Sequence, residues 1–395
     1  MYSTAFSPFP SPLTDVQRDQ LLVNTALLSL YEALGAVPDP RSRHGLRYDL
    51  PFLLTCLIAA LLCNCNHSEA VGEWCRDHQP LLRVLFRGRQ FLSPTGALYR
   101  WLFPRLDVKA LEAVLMGWVR ATLQASPDDP VALDGKVVRG ASTQDQSAPH
   151  LLSFRTHHSQ ETLLQTRVED KTNEIPIAQA VLPSLVEPGR IYTADALHTQ
   201  VNWMRVVHAN NAFTVLTVKG NQPTLLQDLQ TYFADPNAHC AVAETWDRRR
   251  GRIEHRSIRV SCEMNVYLSS TWPHIRQVAA LTRVVTKKGN TTIEVVYLIT
   301  NLSAAQASPE RLLHVVRSHW SIENGSHYVR DVTFAEDRSH LRSGAAPQIW
   351  AAFRNLALTL IHRTGSSQIA ATRRSFSHRP ALALRLLFQR RSSQQ

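Results

Sequence analysis

Cysteine is scarce in this sequence and poorly spaced for its structural uses. Six occur among 395 residues, at 56, 63, 65, 75, 240 and 262. None forms a C-x-x-C pair, so neither a disulfide scaffold nor a zinc ribbon is supported. Reduced thiols in the cytoplasm are the expectation, against the minor alternative of a zinc site made by Cys63, Cys65, Cys75 and His67. Long apolar runs are missing too. The most apolar segment, Leu50 to Cys65, has 16 residues and includes Pro51, Thr55 and Asn64. A bilayer span needs roughly 20 apolar residues, so this segment reads as a buried helix and no membrane partner is expected. Met1 to Pro12 is rich in Ser and Pro without a basic stretch leading into an apolar run, and no secretory signal is expected from it. Acids are absent from Thr372 to Arg391, where Arg373, Arg374, Arg379, Arg385, Arg390 and Arg391 stand alone.

What is abundant is positive charge. Lys and Arg number 43 against 32 Asp and Glu, a net +11, and a second basic cluster runs from Arg248 to Arg252. Such an excess favours a polyanion, because each cation laid on a phosphate releases condensed counterions. A solvated face is the ordinary alternative for either cluster.

The hydrophobic period divides the chain. Residues 1–20 are expected to lack regular structure. From 21 to 126 the pattern is helical, with helices expected at Leu21–Leu34, Leu50–Cys65 and Leu111–Leu123. Ser126-Pro-Asp-Asp-Pro130 marks a boundary. Strands are then expected at Val131–Asp134, Leu151–Ser153, Thr162–Val168, Arg190–Asp195 and Phe213–Lys219. Helices are expected at Ile175–Val186, Val201–Ala209 and Thr224–Phe233. A β-rich stretch from about 240 to 302, with a hairpin turn at Lys287-Lys-Gly-Asn290, reads as an insertion into a domain spanning 127–365. Helices return at Ser308–Val329 and Gln348–His362, and 366–395 reads as a basic tail in mobile contact with DNA. The fold class is therefore α/β, a mixed sheet with flanking helices behind an all-α domain.

Asp134 and Asp195 each close an expected strand, the place where ligands gather in α/β sheets. Two acids side by side repel unless a cation lies between them, which points to Mg²⁺ or Mn²⁺ and to phosphodiester chemistry. A third acid is then needed. In the segment His319-Trp-Ser-Ile-Glu323-Asn-Gly-Ser-His327-Tyr-Val-Arg330, helical spacing places His319, Glu323, His327 and Arg330 on one face, with Trp320 as the expected anchor. An Asp after a strand is also an ordinary turn former or helix cap. Spacing alone does not choose among Glu323, Asp170, Glu174, Asp331, Glu336 and Asp337.

Six ordered blocks settle a resemblance. Ala132-Leu-Asp-Gly-Lys-Val-Val-Arg-Gly140, Asp170-Lys-Thr-Asn-Glu-Ile-Pro176, Thr193-Ala-Asp-Ala-Leu-His-Thr-Gln200, Lys219-Gly-Asn-Gln222, Gly251-Arg-Ile-Glu-His-Arg256 and His319-Trp-Ser-Ile-Glu-Asn324 with Asp331–Asp337 together resemble the H-repeat-associated, or ISAs, insertion-sequence transposases of the DDE class. Asp39-Pro-Arg with Gly45-Leu-Arg-Tyr48 resembles the opening of that family's helical domain. The chain departs from the family at His198-Thr199, Ser326-His-Tyr328 and Arg330. The resemblance implies a ribonuclease-H-like core, a Mg²⁺ requirement that Mn²⁺ can meet, and Asp134, Asp195 and Glu323 as metal ligands and catalytic acids. It further implies double-stranded DNA as partner, a homodimer when two element ends are synapsed, and a place at the nucleoid. Lys136, Arg139, Lys219, Asn221, Gln222, Arg252, His319, His327 and Arg330 are the expected DNA contacts. Two other readings fit the same residues: an inactive or domesticated DNA-binding descendant, and a metal-dependent nuclease that cuts without joining.

Overall fold

The computed structural model describes residues 28–389, apart from 43, 45, 87–91, 143–146, 170–172, 250, 321 and 340, and does not describe the side chains of Arg249, Glu323 and Asn324. The expectations on residues 1–20, on most of Leu21–Leu34, and on Asp170, Arg250, Arg390 and Arg391 lie outside the described residues.

The helical part opens with a short turn at Leu30–Ala33, started by a capping box between Ser29 and Glu32. Then come α1 (Leu50–Leu62), α2 (Ser68–Asp77), α3 (Gln79–Phe86), α4 (Gly96–Leu102) and α5 (Val108–Ala121). Pro51 sits in the first turn of α1, where a missing N–H costs nothing, and the helix is apolar all round. A helix of that kind must be surrounded, and every residue from Phe52 to Leu62 is buried.

The second part is built on one nine-stranded sheet. Its elements are β1 (Val131–Val137), β2 (His150–Thr156), β3 (Thr162–Val168), α6 (Glu174–Val181), β4 (Ile191–Ala194), α7 (Val201–Ala209), β5 (Phe213–Val218), α8 (Pro223–Ala234), β6 (Ala241–Arg249), β7 (Arg252–Ser261), β8 (Gln277–Lys287) and β9 (Asn290–Thr300). After them come α9 (Pro309–His319), α10 (Ala346–His362), α11 (Ile369–His378) and α12 (Pro380–Phe388). Strand order is β3-β2-β1-β4-β5-β9-β8-β7-β6. β2 runs antiparallel to β1 and β3, while β1, β4 and β5 are mutually parallel. This 3-2-1-4-5 arrangement is the ribonuclease-H-like core. The β-rich insertion does not form a separate body: β9 pairs antiparallel with β5 and prolongs the same sheet. Its β8–β9 hairpin turns through Lys288 and Gly289, both at positive φ (50° and 80°), as a two-residue turn matched to strand twist demands.

Both faces of the sheet are covered, so successive strand residues alternate between two cores. Tyr192, Leu216 and Ala280 face the core shared with the helical part, whereas Ile191, Val215 and Leu281 face the core under α9. α10 is the hub of the first core: all its residues from Ala346 to Ile361 are buried, between α5, α1 and β3. The helical part and the sheet therefore share one hydrophobic core. The basic C-terminal segment also differs from expectation. As far as Phe388 it is helical and packs on α1. Arg373 is fully buried, donating to Leu61 O (2.7 and 3.0 Å) and stacking over Phe334 at 3.9 Å. Free helix ends need donors of this kind, so Arg373 caps α1 and does not reach for DNA.

Between α5 and α10 lies a buried acid. Glu112 Oε1 accepts from Gln165 Nε2 (2.6 Å) and Gln348 Nε2 (3.0 Å). Burial pushes its carboxyl up to about 7, against the opposing pull of the donors Gln348 and Gln165. The folded protein thus holds a proton that the unfolded chain releases, and stability falls as pH rises from the ordinary glutamate value through about 7. Glu112→Gln keeps the Oε1 acceptor and removes the charge. It is expected to raise the thermal midpoint by several degrees at about pH 8 and by much less at about pH 5; an equal shift at both pH values would contradict the linkage.

Candidate active site

The sheet forks at one point. β1 and β4 are paired in parallel from Val131↔Tyr192 to Leu133↔Ala194, and no further. The next residues along the two strands are Asp134 and Asp195. The sequence suggests that both strands end there, but only β4 does. β1 runs on to Val137 because its other edge stays paired with β2, Asp134 opposite Ser153. Asp134 therefore stands on the open edge of a continuing strand. Asp195 starts the helical turn Ala196–His198 and caps it, its Oδ1 accepting from Leu197 N at 3.0 Å. Asp134 Oδ1 accepts from Gly135 N at 2.8 Å.

The expected single helix Ser308–Val329 is broken. α9 ends at His319, a wide π turn occupies Glu323–His327, and a short helix follows at Tyr328–Val332. Such wide turns are uncommon and concentrate at functional sites. Gly325 within it leaves room for Gln160, whose Oε1 would lie 2.5 Å from a Cβ there. The break dissolves the expected stripe. Glu323 opens the wide turn, with its carboxylate outside the described side chains, while His327 closes it with Nδ1 3.6 Å from Asp134 Oδ2. The end of the turn therefore lies beside the β1 lip of the fork.

His319 faces elsewhere. Its Nδ1 bonds Thr193 Oγ1 (2.8 Å), which also meets His157 Nε2 (2.8 Å), while His157 Nδ1 meets Ser318 Oγ (2.7 Å). These contacts stitch the end of α9 to β4 two residues before Asp195. Burial lowers His319 to about 4. Burial, then the cations Arg330 and Lys136, lower His327 to about 3. Both rings are neutral at neutral pH and add no positive charge for a phosphate. Trp320, the expected anchor, is 51% exposed.

Arg330 is a clear correction. It is buried, with Nη2 2.7 Å and Nε 3.0 Å from the two oxygens of Glu336, which also takes Arg354 at 3.2 Å. It therefore braces the short helix and is not presented to DNA. Lys136 is buried as well and pairs with Asp331 at 2.7 Å. Asn221 Nδ2 donates to Ala196 O (2.6 Å) and Gln222 Nε2 to Thr199 O (2.9 Å), so both brace the loop after Asp195. Lys219 and Arg139 are exposed. Arg252 is 41% exposed and leans on Glu254.

Two acids gather partners in ways the sequence does not show, one on the insertion and one beside the fork. Glu254 is a buried carboxylate gathering Arg252, Arg256 and Arg283; desolvation would raise it, but those guanidiniums hold it below the usual range. Its motif was visible in the sequence and its role as an organiser was not. Glu174, a rival acid in the sequence that also lies in the Asp170–Pro176 block, takes His150 and His198 beside the fork. No local signal links those three positions.

Asp134 and Asp195, which directly follow the last residues paired between β1 and β4, carry hard oxygen donors of the kind that suit a divalent cation. Among the described residues no group of three or more His, Cys, Asp or Glu side chains is arranged to hold a metal ion, and the Glu323 carboxylate stands outside that set.

A 3-2-1-4-5 sheet of this order and direction defines a ribonuclease-H-like fold. The profile of the family Transposase DDE domain matches residues 125–360, and that of the family DDE_Tnp_1-associated matches 31–119. The chain belongs to the DDE transposase family. It is 23% identical over 347 residues to the "Putative transposase YncI" of Escherichia coli O157:H7, covering 85% of this chain and 88% of that protein. It is 22% identical over 348 residues to the "H repeat-associated putative transposase YhhI" of Escherichia coli K12, covering 85% and 90%. A piggyBac transposase in a synaptic complex with hairpin DNA aligns over 93% of this chain and 80% of that one, with 9% identity and a TM-score of 0.46.

Glu336→Ala leaves the guanidiniums of Arg330 and Arg354 buried without their shared acid. Stability should fall by about 3–5 kcal/mol, read from the urea midpoint; a loss below about 1 kcal/mol would mean that Glu336 does not hold this helix.

Proposed function

We propose that the chain is the transposase of an insertion sequence, cutting the ends of its own element and joining the freed 3′-OH to target DNA. The observation that supports this best is the position of Asp134 and Asp195, each directly after the last β1–β4 pair, with His327 at the end of the wide turn 3.6 Å from Asp134. In this reading Asp134, Asp195 and Glu323 hold Mg²⁺, with Mn²⁺ as substitute. A pair of such ions, when bound, activates an attacking hydroxyl and offsets charge on the leaving oxygen.

The remaining work belongs to the chain. Gly135 N–H and Leu197 N–H fix one oxygen of each aspartate, so the carboxylates are oriented before substrate arrives. Asn221 and Gln222 hold the loop after Asp195, and neutral His327 lies against Asp134 without competing as a cation. Exposed Arg139 and Lys219 and half-exposed Arg252 take DNA phosphates, which makes binding steeply salt-dependent. Water and then the DNA 3′-OH are the attacking groups, so no Ser or Tyr nucleophile is required. Two element ends must be held together, which calls for two copies of the chain on double-stranded DNA. No described helix is long and apolar enough to cross a membrane.

The test is strand cleavage and joining on DNA carrying the element's own ends, with Mg²⁺, with EDTA, and with Glu323→Gln. Cut and joined products are expected with Mg²⁺ alone and should drop to background in both other arms. Salt-sensitive binding without cleavage would indicate an inactive descendant. Cleavage without joining would indicate a nuclease, and cleavage that survives in Glu323→Gln would remove Glu323 from the site.

A further inference from the structure

Beside the fork, one acid joins three elements. Glu174 is the first residue of α6, whose start is fixed by Asn173 Oδ1 accepting from Ile175 N at 3.1 Å. Its Oε1 lies 2.8 Å from His150 Nε2, on the first residue of β2, and its Oε2 lies 3.0 Å from His198 Nε2. The His198 side chain is 2% exposed and that of Glu174 14%. Burial alone would raise the Glu174 carboxyl, but hydrogen bonds and charge from His198 and His150 hold it below its ordinary range.

The same carboxylate touches both lips of the fork. On one side β1 passes it without room for a side chain: a Cβ on Gly135 would lie 2.2 Å from Glu174 Oε1 and 2.6 Å from His150 Nε2. Gly135 is the residue after Asp134, and its N–H holds the Asp134 carboxylate. On the other side His198 ends the turn that Asp195 caps, with His198 N donating to Asp195 O at 3.2 Å. Backbone pairing between β1 and β4 has stopped by this point, so strand hydrogen bonds no longer set the distance between the lips.

We infer that Glu174 is a positioning residue: by tying His150 to His198 it fixes the spacing of Asp134 and Asp195, and with it how tightly they take a divalent cation. This rests on the reading of those aspartates as metal ligands. Groups that orient ligands from behind change metal affinity by about 10- to 100-fold when lost. Gln at 174 keeps the volume but loses the charge and one of the two acceptor oxygens, so it can no longer accept from both imidazoles.

The test is direct Mn²⁺ binding to the full-length protein without DNA, read from the loss of the free-ion EPR signal. Wild type is compared with Glu174→Gln, His150→Asn and the control Asp134→Asn, with circular dichroism and thermal midpoint as checks of folding. Glu174→Gln should raise the Mn²⁺ Kd about tenfold or more. The Mg²⁺ concentration for half-maximal strand cleavage should rise by a similar factor, with the rate largely recovered at saturating Mg²⁺. A folding defect alone would lower the rate at every Mg²⁺ concentration. If Glu174→Gln does not fold, His150→Asn, which removes the more exposed arm, decides the matter on the same readout. Unchanged Mn²⁺ affinity in the folded clamp variants, with affinity weakened in Asp134→Asn, would overturn the clamp alone. Mn²⁺ affinity unaffected by Asp134→Asn would overturn the ligand reading and the clamp with it.

Discussion

The structure turns on where β1 and β4 stop sharing hydrogen bonds. Parallel strands that stay paired leave no room between their side chains for an ion or a phosphate. Here pairing ends at Leu133 and Ala194, and each strand is held apart for a different reason. β1 is kept extended by β2, which follows it to Val137. β4 is turned away by Asp195, which caps its own helical turn. The fork is therefore a product of unequal strand partners. The surrounding contacts preserve it: Thr193 stitches β4 to the end of α9, the wide turn carries Glu323 and His327 over β1, and Asn221 and Gln222 secure the loop behind.

Behind the fork runs a buried polar network that joins the site to the helical part. Glu336 holds Arg330, whose Nη1 reaches Asn355 Oδ1 at 3.4 Å; Asn355 Nδ2 donates to Gln165 Oε1 (2.7 Å), and Gln165 Nε2 to Glu112 (2.6 Å). Buried polar groups are costly unless satisfied and specify one arrangement when they are. The path runs from the short helix after the wide turn, through α10, to α5. Together with the shared hydrophobic core, it makes the helical part a structural support of the catalytic sheet. Its own face toward DNA is a separate matter.

Most of the framework was legible in the sequence because the apolar period switches sharply after Pro130. α7, β5 and α8 fall within a residue of their expected bounds, and the stretch from about 240 to 302 is β-rich with its hairpin turn at Lys287–Asn290. What could not be read was set by distant partners. Nothing near Asp134 reveals that β2 will carry β1 past it. The helical period through His319, Glu323, His327 and Arg330 looked continuous, but the chain widens there and sends each side chain to a different neighbour. Arg330 and Arg373 looked like surface cations; the acid and the carbonyls that bury them lie on other elements. Glu174 could be named as an acid, but its histidine partners are separated from it by 24 residues on each side.

Iron-directed backbone cleavage tests the carboxylate fork most directly. Fe²⁺ replaces Mg²⁺ on the full-length protein, and ascorbate with peroxide generates radicals where the ion sits. Scission should fall next to Asp134, Asp195 and Glu323, and excess Mg²⁺ should suppress all three together. Scission confined to one of them, or centred elsewhere in the chain, would contradict a metal site shared across the fork.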